Sequence, residues 1–236
     1  MSSKKALTGK HNYAEFKEET IVNRVKKMVD YRAGLDISDL HIKLSYGNRK
    51  TGSLVPSISL IPIADCNNCA HCAKGCYAIR NIACYDASRK MMAQNSAIAH
   101  GDLPRYFREL DAAVKFVRFL RIHVSGDIIS PAYLTGMVDV AIKNTHCQFL
   151  CFTKCFDIVN NYLDDHGSFP ENLHIIFSEW RGLDVPNPHN LPTSRPVWEG
   201  EKVEGIMCPG SCSECAAFDK GCWSLKNGER ILFEAH

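Results

Sequence analysis

The chain has 236 residues, 45% hydrophobic and 23% charged, with a formal net charge of +2. This is the composition of an ordinary globular chain, long enough for one sizeable core, with two domains as the upper expectation. A near-neutral charge gives no nucleic-acid footprint, and no apolar run reaches the ~18 residues of a membrane-spanning helix.

Residues 1–12 read as a disordered tail and 13–236 as a single α/β domain ending in a cysteine-rich segment, 205–236. The start, Met-Ser-Ser-Lys-Lys, is positively charged without an apolar stretch behind it, so no signal peptide is expected. Twelve cysteines without an export signal point to a reducing cytoplasm and metal ligation rather than a disulfide scaffold. A helix is expected over 13–32, with Phe16, Val22, Val25, Val29 and Tyr31 on its apolar face and Lys17, Lys26 and Lys27 elsewhere. Two strands follow, at about 40–46 and 53–63. They are joined by a turn from Gly47 to Gly52 that carries Arg49 and Lys50.

The second strand empties into Cys66-Asn-Asn-Cys69-Ala-His-Cys72-Ala-Lys-Gly-Cys76-Tyr77. Thiolates this close repel one another, and a cation is what usually compensates. Zinc or an iron–sulfur cluster accepts four cysteines. A loop holding two Asn, a His and a Lys is a poor place for thiols that merely pack. The expectation is therefore a metal centre on Cys66, Cys69, Cys72 and Cys76.

Helices are expected over 82–99, with Ala83, Ala87 and Met91 along one row, and over 103–115. An alternation then begins. A strand at 119–124 leads to Ser125-Gly126-Asp127 and a helix capped by Ser130. A strand at 148–152 leads to Thr153-Lys154 and a helix around 156–164. A strand at 173–177 leads to Ser178-Glu179-Trp180. Strands separated by helices imply a parallel sheet, so the fold class is α/β, as a partial (βα) barrel or an open parallel sheet. Residues 181–200 read as irregular, and a last strand falls around Arg230–Phe233.

In such folds functional groups gather at the carboxyl ends of the strands. The cysteine loop, Gly126-Asp127, Lys154 and Glu179-Trp180 all occupy that position. This makes Asp127, Lys154 and Glu179 the candidate catalytic residues and Gly126 and Asp127 the candidate cofactor contacts. His123 reads as a satisfied core histidine. Cys147, Cys151, Cys155 and Cys84 read as packed thiols. Cys208, Cys212, Cys215 and Cys222 form a second ligand set for zinc or a second cluster, with Pro209 and Gly210 allowing tight turns between them.

Several of these motifs together resemble the gene product 88-like family of small phage and prophage proteins. They are Gly47-Asn48-Arg-Lys50, Cys72-x-x-x-Cys76-Tyr77-Ala78, Arg121-x-His123-x-Ser125-Gly126-Asp127, Thr153-Lys154, and Cys208-Pro through Cys222-Trp223 to Phe233-x-x-His236. The resemblance runs from about residue 41 to the end. It implies a phage or prophage origin, the cytoplasm of the bacterial host, and iron–sulfur binding; Cys69 looks like an addition to the family's thiols. The strand-then-cysteine order is also similar in architecture to radical S-adenosylmethionine enzymes, in which a glycine-plus-acid motif holds the methionyl amine. Their usual Cys-x3-Cys-x2-Cys is absent from 66–76 and occurs instead as Cys208-x3-Cys212-x2-Cys215.

The leading expectation is a [4Fe–4S] protein of redox or radical type, with one or two clusters and S-adenosylmethionine as a ligand. An electron donor or a host protein would be its partner. The alternative is a zinc-stapled module binding nucleic acid or protein without catalysis.

Overall fold

A computed structural model of the chain describes residues 17–46, 51–52 and 54–235. Seven strands among them form one sheet: β1 (Ser57–Ile58), β2 (Phe119–Ile122), β3 (Gln148–Thr153), β4 (Leu173–Ser178), β5 (Thr193–Val197), β6 (Ile206–Met207) and β7 (Arg230–Glu234). Every pairing in it is parallel, in the spatial order β1-β2-β3-β4-β5-β7-β6. The outermost strands, β1 and β6, do not pair with each other, so the sheet is open. Strands β1 to β5 are laid side by side in chain order without reversal. With right-handed crossovers this winding puts the connecting helices on one face.

The helices are α1 (Glu18–Ala33), α2 (Tyr77–Cys84), α3 (Asp86–Gly101), α4 (Leu103–Ala113), α5 (Pro131–Lys143), α6 (Phe156–His166) and α7 (Cys212–Ala217). Alternate strand residues divide cleanly between two cores, as the period of two demands. Leu120, Ile122, Phe149, Cys151, Ile175 and Phe177 pack with α4, α5 and α6. Phe119, Leu150 and Ile176 face the other way, against Cys215, Ala216 and Trp223 of the C-terminal cysteine segment. That segment therefore covers the face the helices leave open. A third cluster, including Ile21, Met28, Ile61, Ile79 and Met92, fastens α1, α2 and α3 behind the first cysteine loop. No helix of the described residues is long and apolar enough to cross a membrane.

Helix α5 begins where the sequence placed it: the Ser130 side chain accepts from Tyr133 N at 3.2 Å, and Pro131 follows. Elsewhere the structure corrects the sequence reading. The expected strands at 40–46 and 53–63 shrink to β1 and a single antiparallel bridge, in which Ser45 and Ser57 exchange bonds of 2.7 and 2.9 Å. Pro56 and Pro62 have no amide to donate, and Leu60 N bonds Ser125 O instead of continuing the ladder. The helix at 82–99 is interrupted by extended Tyr85 between α2 and α3, and Ala83 and Ala87 are exposed. The irregular 181–200 segment contains β5, which β7 recruits into the sheet.

Helix α1 buries a different face from the expected one. Ile21 and Met28 are buried, while Val22 and Tyr31 are 56% and 44% exposed. The tail, Phe16, and the Gly47–Lys50 part of the turn lie outside the described residues.

Candidate metal centre and rim site

The cysteine loop is shaped by Asp65, which sits just before it. Its Oδ2 accepts from Ile61 N at 2.8 Å, and its backbone N and O bond Ile61 O and Asp127 N. Its Oδ1 meets Arg32 of α1 at 3.0 Å and His100 of α3 at 2.9 Å. Ile63, inside this turn, has φ 69°, a left-handed conformation that a β-branched residue rarely adopts. Burial alone would raise the Asp65 carboxyl, yet bonds from His100, Ser96 and Ile61 and the nearby His100 charge bring it below its ordinary value. Two short 3₁₀ turns, Cys69–His71 and Ala73–Gly75, then fold the four thiols together ahead of α2.

Cys66, Cys69, Cys72 and Cys76 lie within electrostatic reach of one another. Burial first, then Asp127 and the neighbouring thiols, push Cys66 upward, while the bond from Ile63 N at 3.2 Å opposes them. Cys69 and Cys76 are raised chiefly by burial and further by Cys72, with the Lys154 ammonium pulling the other way. Thiols raised in this way are poor free nucleophiles. Among the described residues, no three His, Cys, Asp or Glu side chains converge tightly enough to hold a metal ion. The sulfurs are gathered into one loop without being closed onto one point.

The rim motifs do meet. Asp127 is buried, its Oδ1 accepting from Thr153 Oγ1 at 2.6 Å and from Ile128 N at 2.8 Å. Its Oδ2 accepts from Lys154 N at 2.9 Å. Asp127 thus clamps the end of β3 to the loop after β2, and Ser130, not Asp127, caps α5. Gly126, at φ 82°, serves close packing: a Cβ there would sit 2.6 Å from Leu60 Cβ. Asn68 Nδ2 reaches Lys154 O at 2.8 Å, and Asn67 Nδ2 reaches Cys155 Sγ at 3.1 Å, so the loop's two asparagines dock it on the end of β3. Gly75 lies against the Trp180 indole, where a Cβ would be 3.6 Å from the ring. Glu179 turns away from the loop and accepts from Arg230 Nε at 2.8 Å.

The second thiol set is closer to the first than its place in the chain implies. Cys208, Cys212, Cys215 and Cys222 line a tight pocket on the sheet face opposite α4–α6, with Arg121, Phe152 and Trp223. Burial first, then the other three thiols, push Cys222 up to about 12, with Arg121 opposing. The Arg121 guanidinium lies 4.9 Å from the Phe152 ring centre and 4.0 Å from Cys212 Sγ, and its buried Nε has no partner among the described residues. The Tyr77 hydroxyl donates to Val124 O and feels Arg121, Cys76, Cys66 and Cys212. Tyr77 and Arg121 therefore stand between the two sets.

The sequence model of the gene product 88 family matches residues 38–182. The chain belongs to the gene product 88 family. That is a phage-type family, in keeping with the resemblance carried by the motifs. The match spans the first thiol set, Asp127, Lys154, Glu179 and Trp180, and leaves the C-terminal thiols beyond its end. No curated protein and no solved structure matches this gene product 88 chain.

Sequence reasoning gave no role to Asp65, Asn67 or Arg121, whose importance depends on distant partners. His123 is in the core as expected, but it is not satisfied there. That residue is buried just past β2 at φ 63°, and neither ring nitrogen has a hydrogen-bond partner among the described residues. Burial pushes it down to about 4, against the pull of Asp127 and Asp65 and of the Ser125 backbone. Cys147, Cys151 and Cys155 are packed thiols as expected; Cys84 is exposed at the end of α2.

Proposed function

We propose that this gene product 88 protein is a [4Fe–4S] protein of redox or radical type, with Cys66, Cys72 and Cys76 as ligands and Cys69 available as a fourth. The observation that carries the reading is the gathering of four mutually opposed, partly buried thiols at the carboxyl end of β1, facing Lys154. Cys66, Cys69 and Cys76, raised by burial, stay protonated until a cation compensates them, and that same cation would supply the pull that closes the loop around it. A bound cluster would supply one-electron chemistry.

The chain's own residues have plainer tasks. Asp65 and its partners fix the approach to the loop, Asn67 and Asn68 dock it, and Asp127 sets the position of the Lys154 backbone. The unreversed run of parallel strands supports a half-barrel of the kind radical enzymes use, and S-adenosylmethionine is the ligand to try. Asp127, with three bonds inside the fold, acts there as a positioning residue rather than as the amine's holder. The second thiol set is proposed as a separate metal centre, cluster or zinc, that staples residues 205–236 over the face opposite the helices.

The test is anaerobic purification with iron, sulfide and zinc analysis. A brown protein whose iron and sulfide disappear in Cys76→Ala is expected. A colourless protein with stoichiometric zinc would refute the cluster and leave a zinc-stapled binding module. Formation of 5′-deoxyadenosine from S-adenosylmethionine on reduction tests the radical reading separately.

A further inference from the structure

Beside the cysteine loop, at the junction of β4, β5 and β7, lies a cavity of about 540 Å³ that none of the proposed metal chemistry uses. That volume is within the range of small-molecule sites. Three arginines line it, Arg181, Arg195 and Arg230, together with Glu179 and Trp180. Each arginine is held by a carboxylate. Arg230 Nε bonds Glu179 Oε1 at 2.8 Å and Thr193 Oγ1 at 3.2 Å. Arg195 Nη2 bonds Glu201 Oε1 at 2.6 Å, and Arg181 stacks 3.8 Å over the Trp198 ring with Nη2 3.5 Å from Glu201 Oε2.

A guanidinium has five donors, and these contacts occupy one nitrogen of each. Three positive charges face two carboxylates, so the site keeps one net positive charge and a surplus of forked donors. Arginines fixed by carboxylates, with forked donors left over, are preorganised for a planar or tetrahedral oxyanion. Two contacts put the cavity next to the proposed centre. Trp180 packs on Gly75, and a Cβ on Gly182 would lie 3.8 Å from His71 Nδ1, so both 3₁₀ turns of the loop touch its wall.

We infer that this cavity is the binding site for a small organic oxyanion, a phosphate monoester or a carboxylate, presented beside the cysteine loop. Its recognition does not require a metal, so it can be tested apart from the cluster.

The experiment is isothermal titration calorimetry with the full chain at determined metal content, using inorganic phosphate, AMP and succinate as probes. Saturable, salt-sensitive binding of at least one probe is expected. AMP or phosphate would assign a phosphate site and succinate a carboxylate site. Arg195→Gln should weaken that probe about tenfold, as loss of one charge-assisted bond requires. Because Arg230→Gln strands Glu179, the paired variant Glu179→Gln/Arg230→Gln is used beside it, and exposed Arg181→Gln keeps the test open should either fail to fold. No binding of the three probes at millimolar concentration, or binding indifferent to all the arginine changes, overturns the assignment.

Discussion

Replacing Gly126 with alanine tests the packing that brings the two halves of the rim together. At φ 82°, a non-glycine residue costs roughly 1–2 kcal/mol. The new methyl would also meet Leu60 Cβ at 2.6 Å, Cα at 3.2 Å and the carbonyl carbon at 3.3 Å. Two of those atoms are backbone, so a rotamer change cannot relieve the overlap. Overpacking of this kind costs about 1–3 kcal/mol, for a total of about 2–5 kcal/mol. Gly200 supplies the control, because it has φ 80° with nothing among the described residues within 4 Å of a new Cβ. Gly200→Ala should lose only the conformational part, about 1–2 kcal/mol. Both variants stiffen the unfolded chain equally, so that contribution cancels in the comparison. Urea denaturation of the two variants beside the parent chain reads the difference directly. Equal losses would refute the close approach of Gly126 to Leu60, just past β1, and with it the physical reason for glycine beside Asp127.

Four further outcomes follow from the structure. Asp65, held low in the fold, contributes stability that is present above its ordinary value of 3.8 and is lost as pH falls through the folded value. The gap between parent and Asp65→Asn in urea melts should therefore narrow below that pH; a gap constant from pH 6 to 3 would contradict it. His123, neutral in the fold, acts over a higher window. Its contribution is complete above 6.5 and is lost as pH falls toward about 4, so His123→Phe should flatten the stability profile there. Arg121→Met should lower metal retention at Cys208–Cys222, because the guanidinium 4.0 Å from Cys212 Sγ no longer offsets thiolate charge there. Unchanged metal content would leave Arg121 a packing residue only. Cys212→Ala/Cys215→Ala should remove metal from the C-terminal site and spare the Cys66–Cys76 loop, read by stoichiometry per chain; loss at both sites would show that the two sets form one centre.

Much of the site was legible because it is written locally. Thiol spacing, glycine before an acid and a Ser-Pro helix start are short-range signals, and each fell at a strand end as the alternation required. Positions defined by distant partners were not legible. Asp65 matters through Arg32 and His100, residues 33 and 35 places away, which no local pattern links. The α1 face was misjudged because Ile21, Val25, Met28 and Arg32 were not recognised as one stripe. Its polar member reaches the Asp65 carboxylate and so belongs with the buried face.

The sequence by itself determined the parallel α/β class, the two thiol sets and the residues at the ends of β1 to β4. Periodicity, turn chemistry and cysteine spacing act over a few residues and survive in one dimension. Only the tertiary structure decided that the C-terminal cysteines cover the sheet face opposite α4–α6, with Arg121 and Tyr77 between them and the first loop. It alone turned Asp127 inward onto Thr153 and lined a cavity with Arg181, Arg195 and Arg230. These depend on which strand faces are left uncovered once the helices have packed, and on charges that find partners only after the chain has closed on itself.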